Sequence, residues 1–522
     1  MKNKLSVWIQ FFQNYTFVNE LRSTRLFTTR KIATLFPLLL IFASLTGRVA
    51  IAQEPTTTTS SPNPEFIGFF GNSVAVQEDV TGDEYAEILI EASSEGGGSR
   101  IYVTNGNTTD FLRSIDLGGT DPRYANKLTE MDDLDGDGTG DFLAVSGGSA
   151  ILYSGIGGMD GGGIDTLRSL SPDAVSLFGR SHAVLPDIDG DGVDDIIVGA
   201  DKEELGAGRV YVFSGATRDS LLALESPMAE SFGSFGRDVS GIGDINGDGI
   251  PDLAVGAPWE NARSGRVYLF SGANGSVIRT IEAPSMGADN FGFTIERVDD
   301  MDGDLTDDLI ISAYQENDGA GRVYAVSTGD GSTITSFQSP NAQSDGNFGK
   351  SITVLDTVIP IIGIAAPFES VAGSFGAGRV YVFNANTEVL LSALTSPSPE
   401  SSARFGASVT GANTVGNAFP DLIVGEPFGG SDLSGVVHTF DILGGNPPPP
   451  QFGKKISSEE LIAGLSLQET VTAGPDGQDL TLSLTSGSGV PNVSFTDSGD
   501  GTGTFSFVPS TDQAGQVFSF TI

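Results

Sequence analysis

The stretch "DIDGDGVDDIIVGA", Asp187–Ala200, places acidic side chains at positions 1, 3, 5 and 9 of a loop and follows them with a β-branched apolar run. Carboxylates this close repel one another unless a cation lies among them. Gly192 at position 6 allows a sharp turn, and the carbonyl of Val193 at position 7 adds an oxygen. This all-oxygen set favours calcium over zinc or copper. An EF-hand loop begins similarly but runs into a helix, whereas "IIVGA" predicts a strand.

The acidic stretch recurs along the chain. Its copies are "DVTGDEYAEILI", "DLDGDGTGDFLAV", "DIDGDGVDDIIVGA", "DINGDGIPDLAVGAP" and "DMDGDLTDDLIISA". Their last acidic residues are Glu87, Asp141, Asp195, Asp252 and Asp308, which gives spacings of 54, 54, 57 and 56 residues. Two weaker copies, at 355–367 and 412–427, lack an intact acidic loop. The chain therefore contains seven copies of one structural unit.

Other features keep the same period. A strand-like segment such as "GAGRVYVFSG" (206–215) follows each loop, and a Phe-Gly pair precedes it. The Phe-Gly pairs begin at Phe70, Phe178, Phe235, Phe291, Phe348 and Phe405, with Tyr124-Ala125 in the second copy. Each unit reads as four short strands, which predicts an all-β, seven-bladed propeller over residues 53–445 rather than a linear solenoid with capped ends. The predicted blades lie near 66–118, 119–173, 174–230, 231–286, 287–343, 344–400 and 401–445.

The last unit ends after its third strand, "SGVVHTFDIL", before the run "GGNPPPPQF". A ring therefore needs a fourth strand from elsewhere. Thr56–Ser60 is the candidate, because β-branched threonines suit a strand and the following "SPNPEFIGFFG" matches the connector between other blades. The alternative is that this stretch is a flexible threonine-rich leader.

The ordered pattern of Phe-Gly, acidic loop and Gly-Ala-Pro resembles the FG-GAP repeat of the integrin α-subunit head, a seven-bladed β-propeller. The resemblance covers roughly residues 61–443. It implies about five calcium sites, each in a loop between the first two strands of a blade. The implied ligands are Asp79, Thr81, Asp83, Tyr85 (carbonyl) and Glu87; Asp133, Asp135, Asp137, Thr139 (carbonyl) and Asp141; Asp187, Asp189, Asp191, Val193 (carbonyl) and Asp195; Asp244, Asn246, Asp248, Ile250 (carbonyl) and Asp252; and Asp300, Asp302, Asp304, Thr306 (carbonyl) and Asp308.

The five loops are not equivalent. Glu84 and Leu305 stand at position 6 of the first and fifth loops, where glycine is expected, and Thr81 replaces an acid at position 3. These two loops are expected to bind calcium more weakly than the middle three.

Four aromatic residues follow the second strand of several blades. They are Trp259, Tyr314, Phe368 and Phe428. In propellers of the resembling family these loops lie on the face opposite the calcium loops, where partners bind. The residues are therefore candidates for holding an extracellular protein or a glycan. The alternative is that each ring packs on the neighbouring blade.

Composition restricts the function further. Residues 1–52 hold seven Lys/Arg and one acidic residue, so the rest has 20 basic and 66 acidic residues, or −46. Such a chain does not bind nucleic acid or an anionic membrane through its net charge. There is no cysteine and, beyond residue 52, only His182 and His438. No nucleophile–base pair is visible, so the sequence predicts that the protein is not an enzyme.

The N-terminus predicts export. A basic region precedes "IATLFPLLLIFASL", and Ala50 and Ala52 form an A-x-A cleavage site, so residues 1–52 are expected to be a signal peptide. The alternative is a membrane anchor, although the apolar run is shorter than the roughly 20 residues that a spanning helix needs. No other segment is apolar enough to span a membrane.

The C-terminal part differs from the repeats. Residues 446–451 are a proline-rich linker, and residues 452–522 alternate like strands. This part resembles the Ig-like or cadherin-like sandwich modules of bacterial surface proteins and is expected to be truncated.

Together these features predict a secreted or cell-surface calcium-binding propeller that mediates adhesion or binds an extracellular ligand. Two alternatives are the propeller of an extracellular hydrolase or lyase, which acids or a base facing the central channel would support, and a structural spacer.

Overall fold

The computed structural model describes residues 53–442, except 119–126, 147, 156–162, 171–175, 286–288, 357–359, 413, 415–419 and 431, together with five short strands between 467 and 521. The predicted signal peptide and proline-rich linker lie outside the described residues, as does Tyr124-Ala125.

The molecule is all-β, and its core is a seven-bladed propeller of four-stranded antiparallel sheets. Six blades use four consecutive strands each. Blade 1 has β2 (Phe70–Gln77), β3 (Glu87–Glu95), β4 (Gly98–Asn105) and β5 (Phe111–Gly118). Blade 2 has β6 (Thr129–Met131), β7 (Asp141–Ser146), β8 (Ser149–Tyr153) and β9 (Gly163–Leu167). Blade 3 has β10 (Phe178–Leu185), β11 (Asp195–Ala200), β12 (Arg209–Phe213) and β13 (Ser220–Glu225).

The later blades repeat this order. Blade 4 has β14 (Val239–Ile242), β15 (Asp252–Ala257), β16 (Arg266–Phe270) and β17 (Val277–Glu282). Blade 5 has β18 (Ile295–Val298), β19 (Asp308–Ala313), β20 (Arg322–Ser327) and β21 (Thr333–Gln338). Blade 6 has β22 (Ser351–Asp356), β23 (Ile361–Ala366), β24 (Arg379–Asn384) and β25 (Val389–Leu394). Blade 7 has β26 (Ser408–Ala412), β27 (Asp421–Glu426), β28 (Val436–Phe440) and β1 (Thr57–Ser60).

The strand β1 makes the last sheet complete. It pairs antiparallel with β28, with Thr57 opposite Thr439 and Ser60 opposite Val436. The sheet order is β1-β28-β27-β26, so the threonine stretch near the start of the propeller supplies the fourth strand of its last blade.

The hydrophobic core lies between the blades. Each of seven clusters of buried side chains joins two consecutive blades, and one of them packs Phe70, Ile90 and Tyr102 of blade 1 against Ile423 and Val437 of blade 7. This last cluster closes the ring. Each sheet is too small to bury its faces alone, so the ring supplies the burial that a single blade lacks.

The Phe-Gly pairs set the distance between blades. Phe235 is fully buried and stacks edge-on against Tyr268 of its own blade, with ring centroids 5.9 Å apart. Its backbone N–H donates to the carbonyl of Ala207 in blade 3 at 2.8 Å. Gly208 in blade 3 has a φ of +92° and leaves no room for a side chain against Phe235. The glycines therefore permit one blade to approach the backbone of the next.

Helical structure among the described residues is limited to short turns. These are α1 (Glu203–Gly206), a 3₁₀ turn at Asn261–Arg263 and α2 (Glu316–Gly319). None of these turns has the length or the apolar content to cross a lipid bilayer.

Five strands belong to the C-terminal part. They are β29 (Leu467–Thr472), β30 (Ser483–Leu484), β31 (Val493–Asp497), β32 (Thr502–Phe507) and β33 (Phe520–Thr521). The strand β32 pairs with both β29 and β31, and β30 pairs with β33. Most of the predicted sandwich lies outside the described residues.

Candidate functional site

The acidic loops connect the first and second strands of blades 1 to 5, on one face of the ring. In the third loop, Asp187 Oδ1 accepts a hydrogen bond from the Gly190 N–H at 2.6 Å, and Asp187 Oδ2 accepts one from the Gly192 N–H at 2.8 Å. Asp191 accepts from the Val193 N–H at 2.9 Å. Backbone donors thus fix the positions of the carboxylates at positions 1 and 5.

The acid at position 9 is the buried end of each loop. Asp195 is fully buried at the start of β11 and accepts hydrogen bonds from the N–H groups of Ile188 at 2.9 Å and Gly215 at 3.0 Å. In the first and fifth loops, Glu87 Oε1 and Asp308 Oδ1 are buried and accept no hydrogen bond among the described residues. A buried carboxylate oxygen without a partner is costly, and a cation would supply the missing partner.

Four of the five loops bring three carboxylates together. Their ligand oxygens lie within 4.8 Å of one another in the sets Asp79, Asp83 and Glu87; Asp133, Asp135 and Asp141; Asp187, Asp189 and Asp195; and Asp300, Asp302 and Asp304. All of these donors are carboxylate oxygens, which suit a hard cation such as Ca²⁺ or Mg²⁺. The described residues of these four loops therefore fit a divalent cation.

The fourth loop differs because Asn246 occupies position 3. Its Nδ2 donates to both carboxylate oxygens of Asp252, at 3.1 and 3.3 Å, and its Oδ1 accepts from the Asp248 N–H at 3.0 Å. The amide nitrogen therefore lies toward the buried acid, where a cation needs an oxygen. Turning the amide over would present Oδ1 instead, so an asparagine is compatible with a cation after this one rotation.

Position 6 takes the left-handed conformation in every loop. The φ angle is +89° at Gly192, +74° at Glu84 and +75° at Leu305. The side chain of Leu305 is 91% exposed, so the leucine fits without a clash but bears the conformational cost of a non-glycine residue. The first and fifth loops thus reach the same geometry as the others with a strained residue.

The loop carboxylates have opposite pKa shifts at the two ends of the loop. Burial raises the pKa of Asp195 to about 6 and that of Asp308 to about 7, and the neighbouring carboxylates add to the rise. Backbone N–H donors, led by Gly192, lower the pKa of Asp187. Crowding of negative charge at the buried end is the electrostatic problem that a cation would remove.

The four candidate aromatic residues lie on the opposite face, where each is half-buried under a cation or another ring. Lys202 Nζ lies 4.2 Å from the Trp259 ring centre, and Lys350 Nζ lies 4.0 Å from that of Tyr314. The Arg404 guanidinium contacts both Phe368, at 5.1 Å, and Phe428, at 4.6 Å. Most of these contacts cross a blade boundary, so the rings pack on neighbouring blades while forming part of this face.

Comparison with known proteins agrees with this geometry. The model of the FG-GAP repeat family matches residues 178–213 and 235–270, which span most of blades 3 and 4. Blades 3 and 4 each carry an FG-GAP repeat. Integrin alpha-3 of Mus musculus is 33% identical over 174 residues, which are 30% of this chain and 16% of the relative. Integrin alpha-5 of Xenopus laevis is 29% identical over 212 residues, or 37% of this chain and 20% of the relative. The chain thus spans a fifth or less of these integrin α homologues.

One solved structure resembles the chain only distantly. The crystal structure of BBS1N in complex with ARL6DN, soaked with lead, has a TM-score of 0.47 and 13% identity. The match covers 75% of this chain and 97% of that chain.

Five of the blades share a buried glutamate that sequence reasoning missed. Glu260 accepts hydrogen bonds from Ser226 Oγ at 2.5 Å and from the Tyr268 hydroxyl, and it pairs with Arg266 at 3.3 Å. Equivalent glutamate–tyrosine pairs are Glu95–Tyr102, Glu203–Tyr211, Glu316–Tyr324 and Glu369–Tyr381. Each glutamate stands three residues after the alanine that ends or lies in the second strand. This fixed spacing is a signal that could have revealed the network.

The two histidines of the propeller are buried structural residues. His438 replaces the tyrosine of the network and contacts Glu426 at 2.8 Å and Thr58 at 2.9 Å. His182 contacts the carbonyl of Lys127 at 2.8 Å, and burial lowers its pKa to about 3. The contact between His438 and Thr58 joins two paired strands of blade 7, so we interpret it as structural rather than as a nucleophile–base pair.

The central channel is lined by the first strand of each blade. Its described lining includes Lys127, Glu130, His182 and Glu296. Burial raises the pKa of both glutamates to about 7. Glu130 accepts a hydrogen bond from the Glu78 N–H at 2.7 Å, and within the described residues neither carboxylate is hydrogen-bonded to a serine, histidine or tyrosine. Acids therefore do face the channel, but without the partners of a catalytic site.

Proposed function

We propose that this protein is a secreted or cell-surface propeller that binds calcium in its acidic loops and an extracellular protein or glycan on its opposite face. The observation that carries the proposal is the convergence of three carboxylates in each of four loops, where the described residues offer no hydrogen-bond partner to one buried oxygen of Glu87 and one of Asp308. A cation would neutralise this charge, and the fixed loops would then support a rigid ring.

Calcium is the cation that this chemistry favours. The donors are carboxylates and backbone carbonyls in loops of alternating ligands, and the extracellular calcium modules that use them bind at roughly 10⁻⁴–10⁻³ M. Such sites are filled outside a cell but not in the cytosol, in agreement with the export signal read from residues 1–52. We propose five sites, with the three middle loops the strongest.

A binding role is favoured over an enzymatic one. The relatives found are integrin α subunits, and the family model that matches describes a repeat within the propeller blades. We therefore propose that this propeller is not an enzyme and acts by presenting a surface.

The calcium proposal is tested by thermal unfolding of the chain from Gln53 to Ile522, with Ca²⁺ and with EGTA. We expect Ca²⁺ to raise the melting temperature and Asp187→Asn to reduce that rise. Asp219→Asn, an exposed acid in a hairpin outside the loops, is the matched control and should leave the rise unchanged. An equal melting temperature with Ca²⁺ and EGTA would rule out calcium as a structural ligand.

The adhesion proposal is tested by screening the same protein against arrays of extracellular matrix proteins and glycans. Binding in Ca²⁺ that disappears in EGTA is the expected result. The absence of any binding by a protein shown to be folded and calcium-loaded would contradict adhesion to the ligands tested and favour a spacer role.

A further inference from the structure

Four cationic side chains surround one end of the central channel. Arg180, Arg237 and Lys350 each directly follow a Phe-Gly pair, where the first strand of the blade begins, and Arg404 directly precedes Phe405. We call these four residues the channel mouth. The first strands end at the acidic loops, so the mouth lies on the opposite face. A cavity of about 350 Å³ there is lined by the first three of these side chains.

The channel mouth has more positive than negative charge. Asp201 pairs with Arg180 at 3.5 Å and with Lys202 at 3.3 Å. Lys127, deeper in the same cavity, pairs with Asp238 at 3.2 Å, and Glu296 also lines the cavity. Among the described residues, no carboxylate lies within 4.0 Å of the side-chain nitrogens of Arg237, Lys350 or Arg404. The cluster exists in a chain of net charge −40, where acids are abundant.

Aromatic rings do not neutralise these cations. Phe293 lies between Arg237, at 4.1 Å, and Lys350, at 3.9 Å, so it contacts one face of each charged group. A cation–π contact leaves the N–H donors unpaired, and the buried Arg237 Nε has no hydrogen-bond partner among the described residues. Burial, followed by repulsion from Arg237, Arg180 and Arg404, lowers the pKa of Lys350 to about 7. The mouth therefore carries unpaired donors and unneutralised charge, and both would be satisfied by an anion.

We propose that the channel mouth binds a carboxylate of an acidic protein segment. The inference rests on the proposed function in assigning the ligand to this face. Arginine presents a planar fork that matches a carboxylate, and a lysine beside it adds a point charge. The cavity also has an aliphatic wall of Val74, Ile352 and Val409, against which the methylene groups of a glutamate side chain can pack.

The surrounding charge makes this site selective. The acidic remainder of the surface repels an acidic segment, so nonspecific association is weak and binding must occur where the potential is positive. A sulfated glycan also presents oxyanions, and the experiment distinguishes it from an acidic protein segment.

The test is fluorescence anisotropy of a labelled glutamate-rich dodecapeptide, titrated with the chain from Gln53 to Ile522 in Ca²⁺. We expect saturable binding that Lys350→Gln and Arg237→Gln each weaken about tenfold, because each loses a charged hydrogen bond. Arg297→Gln is the matched control. It removes one positive charge from the acidic-loop side, where Arg297 pairs with Asp307 at 2.6 Å, and should change the affinity less than twofold.

A second readout needs no variant. Trp259 is the sole tryptophan beyond residue 52, and it lies under Lys202 next to the mouth. Its fluorescence should change as the peptide saturates.

Removing Lys350 eliminates a poorly solvated charge, so Lys350→Gln should melt at or above the parent temperature. A loss of peptide binding by this variant is then due to the binding site and not to unfolding.

Three results would overturn the proposal. They are no peptide binding, unchanged binding by Lys350→Gln and Arg237→Gln, or an equal loss in Arg297→Gln. Binding of a heparin oligosaccharide in place of the peptide would reject a protein partner. Calcium-dependent adhesion in the array with no peptide binding would reject this inference alone and leave the proposed function standing.

Discussion

A Cβ atom on Gly208 would stand 2.0 Å from the carbonyl oxygen of Phe235 in the next blade. The same relationship joins Gly265 to Phe291, Gly321 to Phe348, Gly378 to Phe405 and Gly435 to Phe70. The glycine before the third strand and the phenylalanine at the entrance of the next blade therefore form one contact, repeated around the ring. This contact explains physically why the two motifs occur together in the sequence.

Gly208→Ala is expected to destabilise the propeller by about 3 kcal/mol, because the residue has a positive φ and the added methyl group meets fixed backbone. Chemical denaturation followed by circular dichroism measures the loss. Gly97→Ala is the control, since Gly97 has a φ of +79° with open space around it. It should cost about 1 kcal/mol. Equal losses in the two variants would show that the interblade contact is not responsible.

Tyr268→Phe should cost about 1.5–3 kcal/mol, because it removes a hydrogen bond to the buried carboxylate of Glu260. Tyr153→Phe is a matched change in blade 2, where the tyrosine stacks on Phe142 with ring centroids 5.4 Å apart and its hydroxyl has no hydrogen bond to a described residue. That variant should unfold like the parent protein. The free energies of unfolding of the two variants are compared with that of the parent. A similarly small loss in both variants would mean that the glutamate network contributes little to stability.

Leu305→Gly should stabilise the fifth loop by about 1 kcal/mol in EGTA, since glycine adopts the left-handed conformation without strain. The variant should also bind Ca²⁺ more tightly than the parent at that loop, because less strain remains in the bound form. Titration calorimetry, together with thermal unfolding in EGTA, measures both quantities. The reverse change, Gly192→Leu, should weaken the third loop. If both substitutions shift stability in the same direction, the strain argument is wrong.

Glu296→Gln tests the buried channel acids through pH. Burial raises the pKa of Glu296 from 4.5 to about 7. The folded state therefore holds this proton more tightly than the unfolded state, and the resulting stability is present below pH 4.5 and lost as the pH rises through 7. The variant should match the parent at pH 4 and melt higher than the parent at pH 8. Glu54→Gln, at an exposed position, should show no such pH-dependent gain.

Much of the architecture could be predicted from the sequence because it is repetitive. The period of the acidic loops, the Phe-Gly pairs and the missing fourth strand together predict seven blades, and the structure shows that number with β1 in the last sheet. The grouping of the loop carboxylates could be predicted from their spacing, since positions 1, 3, 5 and 9 lie within a single short segment.

The channel mouth could not be predicted in the same way. Arg180, Arg237 and Lys350 share one position in the repeat, directly after a Phe-Gly pair, but they belong to three different blades. Their proximity depends on the rotation from blade to blade, which a linear pattern does not contain. The buried glutamates could have been found, because Glu260, Glu316 and Glu369 hold a constant spacing after the second strand. Their charge instead suggests exposed loop residues, because the sequence does not show that tyrosine hydroxyls lie beside them.

The pairing of β1 with β28 also determines how the ring responds to mechanical load. Thr57 lies opposite Thr439, so the start of one strand and the end of the other are neighbours. A force that pulls these two points apart opens the antiparallel ladder one hydrogen bond at a time, as in peeling, rather than shearing all its bonds together. If the protein is held at one end and pulled at the other, blade 7 is the first part of the propeller to yield.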